Sequence, residues 1–224
     1  MSNLVGTMKL LEMKRRGKSR FFYASSSEVY GNADVIPTPE TYYGYVSSWG
    51  IRSCYDERKR YSEALIMAYH RKFGIDTRIQ RPFNVYGPRI RPDGLYGRVI
   101  PRFIQQALKC EDITIHGDGM QTRSFLYVDD WVNATWRMIT MNDLDGDIFN
   151  IGSPDEITIL ELANLIARKT KSTSRIVHVK KREDDPVRRS ADITKAISVL
   201  GWKPETSLDK GLQETIEWIR RDVM

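Results

Sequence analysis

The chain has 224 residues, with 35 Lys and Arg against 29 Asp and Glu for a formal charge of +6. Hydrophobic residues supply 41% and charged residues 29%, a mixture that excludes wholesale disorder and suits one large domain or two small ones. Apolar runs such as Ala64–Tyr69 fall far short of the ~18 residues of a membrane helix, and two cysteines, Cys54 and Cys110, can build neither a disulfide framework nor a four-ligand metal site.

The three histidines, His70, His116 and His178, lie far apart without metal-ligand spacing, so no metal is expected. No basic stretch followed by an apolar run opens the chain, so no secretory signal is expected and the expected location is the cytoplasm. The excess of positive charge favours anionic ligands weakly. It is interleaved with acids, as in Lys180-Lys181-Arg182-Glu183-Asp184-Asp185, which reads as a solvated face and not as a nucleic-acid block.

In chain order, residues 3–16 carry helical apolar spacing and Gly17 stops them. Arg20–Ala24 reads as a buried strand, followed by Ser25-Ser26-Ser27 and an aperiodic Gly/Pro/aromatic loop over 31–52. A strong helix is expected at 54–73, ended by Gly74, then a strand at 77–80 closed by Arg81-Pro82 and a loop over 83–97. Beyond lie a helix at 99–109, strands at 113–115 and 124–127, a helix at 129–141, and a strand at 147–151. A helix at 158–170, a strand at 175–179, and helices at 192–199 and 208–221 finish the chain. Alternating strands and helices argue α/β with parallel pairing. A composition shift near residue 98 divides the chain into 1–97 and a more irregular α/β block over 98–224.

Five stretches carry chemistry. Tyr55 and Lys59 stand four apart, on one face of the expected helix. An ammonium near a phenol favours the phenolate, which can take a proton from a sugar hydroxyl. Without that use, the pair is an amphipathic helix with a snorkelling lysine. Ala24-Ser25-Ser26-Ser27-Glu28-Val29-Tyr30-Gly31 follows a strand, where α/β folds place their sites, although serine-rich turns are common. Arg81–Arg89 is a second loop after a strand, and Gly117–Asp130 reads bare as a hairpin and a helix start. Asp184-Asp185-Pro186-Val187-Arg188-Arg189 taken alone is a charge run.

In order and spacing, these five blocks resemble the extended short-chain dehydrogenase/reductase superfamily over essentially the whole chain. That superfamily holds the NAD-dependent sugar-nucleotide epimerases, dehydratases and decarboxylases. Gly50-Ile51-Arg52-Ser53-Cys54-Tyr55-Asp56-Glu57 and Ser25-Ser26-Ser27-Glu28-Val29-Tyr30-Gly31 resemble the UDP-glucuronate decarboxylases (UDP-xylose synthases). Asp184-Asp185-Pro186 with Arg189, and Asp192–Ala196, resemble the same group. A dTDP-glucose 4,6-dehydratase would carry Asp at Ser27, and a plain UDP-sugar 4-epimerase would lack Glu28. Ser47-Ser48-Trp49, Ser190-Ala191 and the loop over 90–97 depart from the decarboxylase pattern.

The resemblance implies a Rossmann-type doubly wound parallel sheet in 1–97, NAD as cofactor, and a C-terminal region over 98–224 that mainly binds a UDP-sugar, with some of its segments returning to the sheet. It implies that Tyr55 takes the O4 proton while C4 is oxidised, that Lys59 holds the phenolate and nicotinamide ribose, and that Ser26 bonds O4. The resulting 4-keto uronate is a β-keto acid and loses CO₂, with Glu28 and Arg189 handling the carboxylate and the enolate proton. Ala24, Ser25, Val85 and Arg89 match cofactor-side positions. Asn84, Arg98, Gln121, Arg123 and Arg189 match positions that hold the UDP or the sugar. Helices 3–16 and 54–73 match a homodimer interface.

The family's Gly-rich strand-to-helix turn, which seats the NAD pyrophosphate, has no counterpart among the 15 glycines. Asn3-Leu4-Val5-Gly6-Thr7 resembles a helix well inside the usual chain. The expectation is therefore an incomplete sheet lacking its N-terminal βαβ units, on the order of 60–90 residues. Strands 20–24 and 77–81 would then have exposed edges, and this polypeptide alone would not turn over. A sibling epimerase or dehydratase, or a non-catalytic dimerising nucleotide-binding fragment, stand as alternatives. Release of CO₂ separates the first from the siblings, and the intact Tyr55/Lys59 pair weighs against the last.

Overall fold

The computed structural model describes residues 2–17, 19–90, 98–181 and 186–223. In chain order, helix α1 spans Ser2–Arg15, strand β1 Phe21–Ala24, a 3₁₀ turn Ser27–Tyr30, α2 Ser53–Phe73, β2 Thr77–Pro82 and β3 Val85–Tyr86. Then come α3 Val99–Leu108, β4 Ile113–His116, β5 Thr122–Ser124, β6 Leu126–Tyr127, α4 Val128–Thr140 and β7 Asp147–Ile151. The chain continues as β8 Glu156–Thr158, α5 Ile159–Thr170, β9 Ile176–Val179, β10 Arg188–Arg189, α6 Thr194–Leu200 and α7 Leu208–Asp222. Asp184, Asp185 and most of the loop over 90–97 lie outside the described residues.

β1, β2 and β7 form a parallel sheet in the order β1-β2-β7, with Ala24 opposite Gln80 and Pro82 opposite Ile151. β2 is thus the central strand of the three and not an edge, because β7 returns from the second half of the chain to pair with it. β1 has one neighbour among the described residues, and its four side chains are half-buried. The sequence of β2, Thr-Arg-Ile-Gln-Arg-Pro, looks too polar for a central strand. Each charge is buried with a partner, as a low-dielectric interior demands. Alternation sends Ile79 and Arg81 to one face, where Ile79 packs with Leu11 and Ile66 and Arg81 pairs with Glu63. Arg78 and Gln80 go to the other face. There Arg78 donates to the Met138 and Met141 carbonyls, and Trp131 donates to Gln80 at 2.6 Å. Helices α1 and α2 therefore cover one side of the sheet and α4 the other, a doubly wound arrangement.

The second half builds its own core from Ile100, Phe103 and Ile104 of α3, Ile113 and Ile115 of β4, Leu162 and Ile166 of α5, and Leu212 and Ile216 of α7. β4 pairs with β9 in parallel, β3 with β6 in parallel, and β5 with β10 in parallel and β8 antiparallel. The single strand expected at 124–127 is two strands in two different sheets, parted at Phe125, because β5 pairs with β8 and β10 whereas β6 pairs with β3. α5 opens with a capping box in which Thr158 and Glu161 satisfy each other's backbone N–H groups.

Candidate active site

The carboxyl ends of β1 and β2 and the first turn of α2 converge on a cleft of about 630 Å³. Ser25, Ser26, Ser27 and Glu28 line it from the turn after β1, Asn84 and Val85 from the segment after β2, and Arg52, Tyr55 and Arg58 from the start of α2. Arg98, Ile100 and Pro101 close it from α3, together with Phe125. Helical spacing puts Tyr55 and Lys59 on one side of α2, with the Lys59 ammonium 6.0 Å from the Tyr55 ring centre. The Tyr55 side chain stands open to the cleft, at 39% exposure for the residue. Lys59 is tied down, since its Nζ donates to the Ala24 carbonyl at 2.7 Å. Burial, then the neighbouring Arg58 charge, push the Lys59 ammonium below the ordinary lysine range, against the pull of Glu63.

Ser26 caps the 3₁₀ turn, its Oγ accepting from the Glu28 N–H at 3.2 Å. An accepted bond leaves the hydroxyl's own proton to be donated into the cleft. Ser25 is committed elsewhere: its Oγ donates to Glu63 Oε1 at 2.5 Å, and Arg81 holds the same carboxylate through two bonds of 3.0 and 2.6 Å. Arg81 also donates to the Tyr30 hydroxyl at 2.7 Å, and that hydroxyl donates to Asn150. Burial pushes the Tyr30 phenol up to about 12, so it stays neutral. This buried network fixes the turn that carries Ser26.

Glu28 is gripped from two sides. Arg189 of β10 pairs with its Oε1, and Arg52 pairs with its Oε2 at 2.5 Å. Burial raises the Glu28 carboxyl, but the two guanidiniums outweigh it and hold the group below the usual carboxylate range. Arg189 also donates to the Gly31 carbonyl at 3.3 Å. Gly31 has φ +61, and a β-carbon there would stand 1.9 Å from the Tyr45 carbonyl oxygen. Asp56, one turn after Arg52, is buried beside this cluster, and one of its oxygens, Oδ1, has no hydrogen-bond partner. Burial and the nearby Glu28 push its carboxyl up to about 6, against Arg52 and Arg189.

Of the residues singled out in the sequence, Ser25, Ser26, Glu28, Tyr55, Asn84, Val85 and Arg98 line one cleft, and Ala24 and Lys59 support it. Asn84 has φ +40 and donates to the Ser124 carbonyl at 2.8 Å, while Arg98 donates to the Val85 carbonyl at 2.8 Å. Arg189 faces a second cleft of about 330 Å³, which shares Glu28 and Arg52 with the first. Gln121 and Arg123 line neither cleft and donate to backbone carbonyls of His116, Thr122 and Pro186, the last a wall residue of the second cleft. Arg89 is exposed and lines neither cleft. Sequence reasoning missed Arg52, Asp56 and Arg58. All three lie within one turn of Tyr55, a signal that places them near the site without naming their partners. Among the described residues, no cluster of His, Cys, Asp and Glu is placed to hold a metal, and no helix is long and apolar enough to cross a membrane.

Comparison with known proteins accords with this geometry. UDP-glucuronic acid decarboxylase 2 of Arabidopsis thaliana is 44% identical over 222 residues, covering 99% of this chain and 49% of that protein. The chain thus spans about half the length of this curated relative. The structure of UDP-glucose 4-epimerase from Thermotoga maritima, with UDP-glucose, superposes with a TM-score of 0.91 at 32% identity, over 99% of this chain and 70% of that one. That of UDP-glucuronic acid 4-epimerase from Bacillus cereus, with UDP-glucuronic acid and NAD, gives 0.84 at 32% identity, over 98% and 67%. The family model of the GDP-mannose 4,6-dehydratases matches residues 1–215, and with the doubly wound sheet and the Tyr55/Lys59 cleft at its carboxyl edge, the chain belongs to that family within the extended short-chain dehydrogenases.

Proposed function

We propose that these residues carry the substrate side of an NAD-dependent UDP-glucuronate decarboxylase. The observation that supports this most is one cleft lined by Tyr55, Ser26 and an ion-paired Glu28, with a half-buried Lys59 one helical turn from Tyr55. The donor set fits the nicotinamide half of NAD. Lys59 commits one ammonium proton to the Ala24 carbonyl and keeps two for a ribose hydroxyl and the Tyr55 oxygen. Ala24, Ser25 and Val85 would flank the ring. NAD bound there supplies a reversible oxidant for a secondary alcohol.

Tyr55 takes the O4 proton, and Lys59 stabilises the charge that develops on the phenol oxygen. Ser26 donates to O4 and orients it. Oxidised at C4, the uronate is a β-keto acid. The C5–C6 bond breaks, CO₂ leaves, and the electron pair passes into the C4 carbonyl as an enolate. Glu28, kept ionised by Arg189 and Arg52, stands at the cleft wall to orient a water, and that water gives its proton to C5 and is made good by a proton from solvent. Arg98 and Asn84 lie where an anionic diphosphate would reach them, and a guanidinium fork suits that charge. On this reading Gln121 and Arg123 act by holding backbone, with direct substrate contact only after rearrangement.

The likeness to UDP-sugar 4-epimerases supports a sibling reading in which no carbon is lost. The test is the full-length protein with NAD and UDP-glucuronate labelled at C6. Labelled CO₂ is expected, with Tyr55→Phe lowering turnover by about 10²–10⁴. Epimerised product without CO₂ would transfer the assignment to the sibling. We also propose a homodimer through α1 and α2, where Val5, Met8, Leu10, Met13 and Tyr61 are exposed and need cover. Light scattering at micromolar concentration reads that directly, and a monomer would refute it.

A further inference from the structure

We propose that Arg52 is the group that selects the carboxylate of the sugar, by exchanging Glu28 for it. This inference rests on the uronate reading above. Arg52 and Glu28 are the two charged residues common to both clefts, so their ion pair forms part of the wall between them. The two arginines on Glu28 are not equivalent. Arg189 has an 8% exposed side chain, faces only the second cleft, and commits a further donor to the Gly31 carbonyl. Stripping it from Glu28 would leave a buried charge uncompensated. Arg52 has a 35% exposed side chain and stands beside Tyr55, Ser26 and Cys54 on the wall of the larger cleft. Arg58 also lines this cleft, its guanidinium 5.2 Å from the Tyr55 ring centre, but Arg52 is the arginine there that already holds a carboxylate. Exchange replaces one carboxylate by another on the same guanidinium, so its charge stays compensated throughout. Glu28 stays ionised on Arg189 and gains a free oxygen facing the sugar. Arg52 is also the N-cap residue of α2, so the positive end of that helix dipole lies at the cleft and adds to the attraction for an anion.

A neutral hexose cannot make this exchange. It must either leave the Arg52–Glu28 pair intact and sit beside it, or break the pair without replacement. Arg52 therefore separates uronates from hexoses by charge, and it keeps Glu28 covered until the right substrate arrives.

The experiment compares UDP-glucuronate with UDP-glucose, which differ only at C6, by calorimetric binding to the full-length protein. Wild type is expected to prefer the uronate. Arg52→Gln is expected to lose about 10–100-fold of that preference, the worth of one charge-assisted contact, with UDP-glucose affinity within about twofold of wild type. Arg52→Lys keeps a charge without the planar fork and is expected to lose about severalfold. An unchanged preference in Arg52→Gln overturns the proposal; if that variant does not fold, an unchanged preference in Arg52→Lys does so. A wild type that does not distinguish the two sugars overturns the uronate reading itself, and this inference with it.

Discussion

Asp56 has Glu28, Arg52 and Arg189 around it and Glu57 beside it on α2, yet no donor reaches its Oδ1. Burial and the Glu28 charge raise its folded-state pKa to about 6, above the ordinary carboxylate value. The native state therefore binds the proton more tightly than the unfolded chain. Stability is full below the unfolded value near ~4 and falls as pH rises through about 6. Asp56→Asn removes the ionised form without removing much volume. Its stability is expected to match wild type at pH 4 and to exceed it at pH 8 by about 1 kcal/mol after allowing for screening. Thermal melts across that range test it, and a variant less stable at pH 8 would show Asp56 to be a needed partner of Arg52. This site was only half legible in the sequence. Tyr55 and Lys59 are four apart, so helix geometry alone brings them together. Glu28 and Arg189 are separated by 161 residues and could be joined only by resemblance to a family. Arg52 lies inside the Gly50–Glu57 run but looks like filler there, because nothing local says that its partner lies on the turn after another strand.

The turn after β1 is the element on which the site depends, and Gly31 is its hinge point. Gly31 and Gly74 share a positive φ, +61 and +62, but not ψ, which is 33 at Gly74, in the left-handed helical well, and −132 at Gly31, in a region kept almost wholly for glycine. Gly74 ends α2 in open space, where an added β-carbon would meet nothing within 4 Å, whereas at Gly31 that carbon would strike the Tyr45 carbonyl at 1.9 Å. Gly74→Ala is therefore expected to cost about 1 kcal/mol, the left-handed penalty alone. Gly31→Ala should cost more, up to about 3 kcal/mol, and should also shift the carbonyl that Arg189 holds. Chemical denaturation of both variants ranks them, and equal losses would mean that the Gly31 backbone relaxes and the Tyr45 segment yields with it. The same contrast explains what could be read of the fold. Among the described residues, the seven α-helices and the longer strands lie within two residues of expectation, because each carries a period or a stop signal. β3, β8 and β10 have two or three residues each, too few for any period, and exist because a neighbouring strand pairs with them. β2 has an interior strand's position with charged residues, and only Glu63 and the α4 carbonyls, distant in sequence, reveal why.

At the scale of the molecule, the cofactor poses the sharpest question. NAD is a dianion along its pyrophosphate, and Rossmann folds hold that part with backbone N–H groups of a Gly-rich turn at a helix N-terminus. None of the 15 glycines of these 224 residues falls at that spacing. On the proposed function the chain offers the opposite end: Lys59, Tyr55 and the serines at the carboxyl edge of β1. Contacts to the nicotinamide ribose alone leave out the charge-assisted bonds to phosphate, each worth about 1.5–3 kcal/mol. Losing two or three of them weakens a micromolar complex to millimolar or beyond. The polypeptide of these 224 residues is therefore expected to show no saturable NAD binding at micromolar concentration by calorimetry, while UDP, which needs Arg98 and Asn84 instead, still binds. Its β1 edge also has one neighbour among the described residues, so any segment that paired there would bring its own following turn to the nicotinamide end of the cleft. Micromolar NAD binding by this polypeptide would refute the argument outright. It would mean that arginines of the second half, with Arg98 nearest the cleft, hold the pyrophosphate in place of a glycine turn.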